Sequence, residues 1–135
     1  QQPPTNVNQA SWKRWRADRL NQFHRETYDA VKLRRPTLRI TNAPTVMPGA
    51  YDNFLQDWPQ WLGSGSLDLV HPQVYRTTLS SYVTTLDQQL SYVPSALRGK
   101  VAPGIRAVTG TPTSEVLGMV AADRALFRRP GGRPS

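Results

Sequence analysis

Apolar positions recur at three- and four-residue steps over residues 11–35, where Leu20, Phe23, Thr27, Ala30 and Val31 share one face. Trp12 and Arg16 extend that face towards the N-terminus. The spacing predicts a long helix, entered from the polar, Pro-rich "QQPPTNVN" with Asn8 or Ser11 as its N-cap. Lys32, Arg34 and Arg35 crowd its last turn, where cations suit the helix dipole, and Pro36 ends it. "TLRITNAP", 37–44, is short, β-rich and closed by Pro44, which predicts a strand. Residues 51–65 predict a short helix with Tyr51, Phe54, Leu55, Trp58 and Leu62 on its apolar side and Gly63 and Gly65 closing it. "LDLVHPQVYR", 67–76, is a second strand. Over 80–99 Tyr82, Val83, Leu86, Leu90 and Val93 return to helical spacing, stopped by Pro94. A third strand runs from Val101 to Ile105. A last helix, 111–127, has a capping signal at Thr111 or Thr113 with Glu115 in its first turn.

Strands alternating with helices mean parallel βα units. Three parallel strands alone leave two open sheet edges, which is a liability. The expected fold is therefore α/β, as the C-terminal part of a (β/α)8 barrel, with a doubly wound sheet as the alternative. In a barrel the active site forms where strands end and loops begin. The first predicted strand ends in Thr41, Asn42, Ala43 and Pro44, the second in His71, Gln73, Tyr75 and Arg76, the third in Gly104, Ile105 and Arg106. Polar groups gather at that end of all three, while Thr37, Asp68 and Lys100 at the other end share no chemistry. Hydrogen-bonding side chains beside aromatic rings suit a sugar.

The net charge of +8 raises a nucleic-acid reading. Nine of the 17 basic residues lie in 11–39, interleaved with Asp18, Glu26 and Asp29. Arg124, Arg128, Arg129 and Arg133 form a second, terminal cluster. A solvated helix face and a loose basic tail explain this pattern, and no RNP, KH or zinc-finger pattern supports a specific nucleic-acid module. The absence of cysteine excludes disulfides and thiolate metal sites. His24 and His71 are not at metal-ligand spacing. No Walker loop, nucleophile elbow or dinucleotide fingerprint is present, so no cofactor is implied. No apolar run reaches the length of a membrane span, and no signal peptide is seen. The chain begins with Gln, which suggests a piece of a longer protein.

"WKRWRADRLNQF" (12–23), "LRITNAP" (38–44), "LQDWPQWLGSGSLDLVHPQVYR" (55–76) and "VAPGIRA" (101–107) together resemble the glycosyl-hydrolase-like 10 family over roughly residues 1–126. The resemblance implies a (β/α)8 barrel acting on cell-surface polysaccharide, such as peptidoglycan glycan strands, in the bacterial periplasm, the cell envelope or outside the cell. It also implies an acidic strand-end motif upstream of Gln1 and a final strand where the sequence instead reads "FRRPGGRPS". That basic tail, 127–135, is expected to be disordered. It looks like a truncation, a cloning scar or a frameshift.

Most glycosidases need two carboxyl groups about 5 to 9.5 Å apart across the scissile bond. No Asp or Glu stands at a predicted strand's C-terminal end: Asp57 reads as a local cap or ion pair, Asp68 enters a strand at the wrong end, and Asp87 and Asp123 are mid-helix. The expected role is thus substrate positioning by Arg16, Asn42, His71, Gln73, Tyr75 and Arg76, with catalytic acids upstream. Trp58 and Trp61, three apart on a helix, read as core before sugar platform. For Gln73 the alternative is satisfying a neighbouring backbone group; for Arg76 it is a surface charge. The expected partners are a glycan and either the N-terminal half of the barrel or a second copy. A non-catalytic carbohydrate-binding or scaffold module and a basic nucleic-acid binder are the rival functions.

Overall fold

The computed structural model describes residues 4–127. Helix α1 spans Ala10–Arg34 and stops before Pro36, as expected. Its N-cap is Gln9, with no side-chain cap, rather than Asn8 or Ser11. The side chain that organises the entry is Asn6, whose Oδ1 accepts from the Asn8 N–H at 3.0 Å in a turn one step earlier.

The buried face of α1 is only partly the one its apolar spacing predicts: Leu20 packs against the core and Val31 is half-buried. Phe23 is 64% exposed, and Thr27 and Ala30 also face solvent. The inward stripe is Arg14, Ala17, Asn21, His24 and Tyr28, at the same three- and four-residue steps. Each polar member meets a partner on a neighbouring element. Arg14 pairs with Asp57 at 2.8 Å, Asn21 accepts from Trp61 Nε1 at 2.6 Å, and the His24 ring stacks on Trp61 at 4.2 Å. Tyr28 donates to Asp68 at 3.0 Å.

Strand β1 (Thr41–Asn42) follows. The single helix expected over 51–65 is two: α2, Gly49–Phe54, and α3, Trp58–Gly63. Leu55 adopts a left-handed backbone (φ 59°), and the Leu55 and Gln56 N–H groups bond back to Tyr51 and Ala50. That wrap closes α2 and turns the chain. Phe54, placed on the apolar side by its spacing, ends 59% exposed, whereas Trp58, Trp61 and Leu62 are buried.

β1 pairs in parallel with β2 (Leu69–Val70), and β3 (Gln73–Val74) with β4 (Gly104–Ile105). β2 and β3 are two parts of one extended run, interrupted at His71–Pro72 because proline has no N–H for the ladder. A parallel bridge from Val70 to Val101 joins the two ladders. Helix α4, Leu79–Ser91, ends earlier than its apolar spacing suggests; after Pro94 the chain makes a 3₁₀ turn, Ser95–Lys100. α5 spans Thr113–Phe127. Glu115 does not serve its own helix: its carboxylate accepts from the Leu79 N–H and caps α4.

The result is a mixed α/β structure with short parallel strands, and among the described residues the sheet does not close into a barrel. Its core joins Trp58, Trp61 and Leu62 of α3, Val70 and Val74 of the sheet, Tyr82, Leu86 and Leu90 of α4, Val101 and Met119. The basic tail lies outside the described residues beyond Phe127.

Candidate functional site

Side chains alternate faces along a strand, so the run from Leu69 to Tyr75 divides cleanly. Val70, Pro72 and Val74 are fully buried on the side packed by helices. Leu69, His71 and Gln73 are only half-buried on the other side, and Tyr75 is 47% exposed there. Their neighbours on that face are small. The register that pairs Thr41 with Leu69 sets Ala43 beside His71, and the one that pairs Gln73 with Gly104 sets Ala102 beside it on the far side. The sheet is therefore covered by helices on one face and open on the other among the described residues.

Three of the expected site residues meet on the open face: His71, Gln73 and Tyr75. His71 N–H donates to the Asn42 carbonyl at 2.8 Å and Gln73 N–H to the Pro44 carbonyl at 2.9 Å, so both backbones are fixed by β1. The Gln73 side-chain amide donates to the Ala43 carbonyl at 2.7 Å. His71 Nδ1 lies 2.9 Å from the Ala102 carbonyl. Proline explains that contact. The ladder bonds Ala102 N–H to Val70 and Gly104 N–H to Pro72, so residue 72 should return an N–H to the Ala102 carbonyl. Pro72 has none, and the imidazole takes its place. Tyr75 comes up against the glycine of the next strand; a Cβ on Gly104 would stand 3.4 Å from Tyr75 Cε1.

The other three expected residues lie apart. Asn42 is in register with the fully buried Val70 and so belongs to the helix-covered face. Arg76 turns to α4, its Nε donating to Thr85 Oγ1 and its Nη1 to the Tyr75 carbonyl, both at 3.0 Å. Arg16 on α1 donates to the Val7 carbonyl at 3.0 Å and lies over the Trp12 ring. A residue missed by sequence pattern is Gln89, fully buried on α4. Its amide accepts from Met47 N–H at 2.6 Å and donates to Met47 C=O at 3.1 Å, clamping the loop that leaves β1.

Carboxylates are committed elsewhere. Asp52 pairs with Lys13, Asp18 and Asp57 with Arg14. Asp68 receives Lys32 at 2.7 Å, the Ile40 N–H at 2.8 Å and the Tyr28 hydroxyl. Burial pushes the Asp68 carboxyl up, but those three donors outweigh it and hold the group below its ordinary range. Asp123 accepts from Tyr82 at 2.6 Å between α5 and α4; burial raises both groups, and the hydrogen bond only partly offsets this for Asp123. Glu26 accepts from Gln22, and Asp29 and Asp87 are exposed on helices. The basic cluster of α1 is likewise divided: Lys13, Arg14 and Lys32 are ion-paired, and Arg16 and Arg25 serve the Val7 and Ser64 carbonyls.

A family model for glycosyl hydrolase-like 10 proteins matches residues 1–122. The chain belongs to the glycosyl hydrolase-like 10 family. Neither a curated protein nor a solved structure matches it. Family membership makes this a glycoside-hydrolase-like domain, and no described helix is long and apolar enough to cross a membrane.

Proposed function

We propose that these residues form part of a (β/α)8 barrel of a glycoside hydrolase acting on cell-surface polysaccharide, such as peptidoglycan glycan strands, in the bacterial envelope or outside the cell. Their share is to hold the sugar on the open sheet face through His71, Gln73 and Tyr75. One observation carries this reading. Among the described residues hydrogen-bonding side chains stand at the strands' C-terminal ends and no carboxylate does. That end is where barrel enzymes act. Cleavage needs a carboxyl pair, and on this reading the pair comes from outside these residues.

The test is to incubate purified residues 1–135 with glycan strands stripped of their peptides. The expected result is retention on the glycan in a sedimentation assay without release of reducing ends. Combined Gln73→Ala and Tyr75→Ala substitutions should weaken retention about tenfold or more, since two ligand contacts go. Turnover abolished by replacing an Asp or Glu within these residues would overturn the proposal, and so would failure to bind. The engagement of the acids also favours a second reading, a non-catalytic carbohydrate-binding module. That reading requires a full-length parent that retains glycan and never cleaves it.

A further inference from the structure

Part of the apolar pattern of α1 is left outside the core. Trp15, Phe23, Ala30 and Leu33 are exposed, and Trp12 is half-buried with its ring stacked on Trp15 at 4.9 Å. At about 100° per residue these positions lie about 180° round the helix from Arg14, Ala17, Asn21, His24 and Tyr28, which face inward. The stripe therefore points outward whatever covers the open sheet face or pairs with the sheet edges. Two opposite charges stand in it, Arg19 and Glu26, both exposed. Seven residues apart, they are too distant to pair within the helix. Neither is in an ion pair among the described residues: Arg19 lies over the Trp15 ring at 5.8 Å, and Glu26 accepts from the Gln22 amide at 2.7 Å.

We propose that this stripe is a self-association surface, on which a second copy of the chain lays its own α1 antiparallel. A two-fold axis passing between Gln22 and Phe23 brings each position level with its complement. Phe23 meets its own copy. Arg19 comes level with Glu26 of the second copy, and Glu26 with its Arg19. Trp15 faces Ala30, large against small, and Trp12 faces Leu33. A two-fold contact needs a self-complementary patch, and here sizes and charges both reverse about one point. An anionic lipid surface offers no such match, because its headgroups would meet Glu26 as a like charge. A helix of 25 residues is about 37 Å long, so one such pair is a small interface and the dimer is weak, of micromolar order. The inference is independent of the glycan reading.

Sedimentation velocity of the full chain, from low to high micromolar concentration, reads the monomer–dimer equilibrium. The expected result is a wild type that passes from monomer to dimer across that range. Arg19→Glu and Glu26→Arg, each alone, set like charges level with each other at two places and should weaken the dimer about tenfold or more. An equimolar mixture of the two variants restores opposite charges at both places and should dimerise as the wild type does. The chain has no cysteine, so Phe23→Cys gives a second measurement. Under mild oxidation it should cross-link to its own copy, whereas Leu117→Cys, exposed on α5, should not. All these positions are exposed, so the variants should melt as the wild type does at dilutions where every chain is a monomer. A wild type that stays monomeric throughout, a mixture no stronger than either variant alone, or equal cross-linking at positions 23 and 117 overturns the inference. So does a monomeric wild type that sediments with anionic vesicles and loses this in Phe23→Glu, which would make the stripe a membrane-facing surface.

Discussion

At the residue scale the molecule depends on polar side chains that close backbone hydrogen bonds the elements leave open. Gln89 is the clearest. It is fully buried and satisfies both peptide groups of Met47. Gln89→Met keeps the volume and strands a donor and an acceptor, so we expect a loss of about 2 to 4 kcal/mol. A lowered urea midpoint at unchanged slope is the measurement; an unchanged midpoint would mean that water serves Met47 equally well. Little of this was legible in the sequence. Gln89 sits among surface-like glutamines and was not singled out. The site was partly legible, because alternation alone sets Gln73 and Tyr75 on one face. What was hidden are the partners, the carbonyls of Ala43 and Ala102, each about thirty residues away along the chain. Proline at 72 was the one sign that a carbonyl would want a donor. The same alternation separates Asn42 from the others, once the register pairing it with Val70 is known.

Elements here are joined end to face. α4 begins with Thr78 receiving the Ser81 N–H at 3.3 Å, while Glu115 of α5 receives the Leu79 N–H. Two donors of one helix end are thus met by different segments. Glu115→Ala should cost about 1 to 2 kcal/mol, the range of a lost cap, and Glu115→Gln less, because the amide oxygen still accepts. Equal losses would mean that the charge at the helix N-terminus, not the hydrogen bond, is what matters. Element order was readable from periodicity and Pro positions, and α1 stops where Pro36 predicts. Faces were read less well. α1 docks through Ala17 and Leu20 and, beside them, through Arg14, Asn21, His24 and Tyr28, and a search for apolar stripes cannot find polar groups with specific partners. The left-handed backbone at Leu55 carries no sequence mark of the kind glycine gives, but the break itself does: Pro59 stands inside the predicted helix and takes the first turn of α3, behind Asp57 as N-cap.

Across the whole molecule these polar joints make stability depend on pH in a definite order. Burial, with help from the neighbouring Arg25, holds the His24 imidazole below its ordinary range. As pH falls past about 6.5 the unfolded chain protonates this histidine first, so stability drops until the folded group also protonates. Asp123 acts in the opposite sense. Burial raises it, the folded form takes the proton first, and acidification through its folded value recovers some stability. Asp68 comes last. Its carboxyl is held low in the fold, its contribution is complete above the ordinary carboxylate range, and it is lost as pH falls towards the folded value. Since Asp68 ties Tyr28 and Lys32 of α1 to the backbone at Ile40, that final loss should free α1 from the sheet. Urea midpoints measured from pH 8 to pH 3 test the order. His24→Phe keeps a ring against Trp61 and should flatten the decline between neutral pH and the carboxylate range, leaving the lower decline in place. Asp68→Asn should do the reverse. If His24→Phe leaves the upper slope intact, burial of the His24 imidazole is not what sets that slope, and the order argued here fails at its first step.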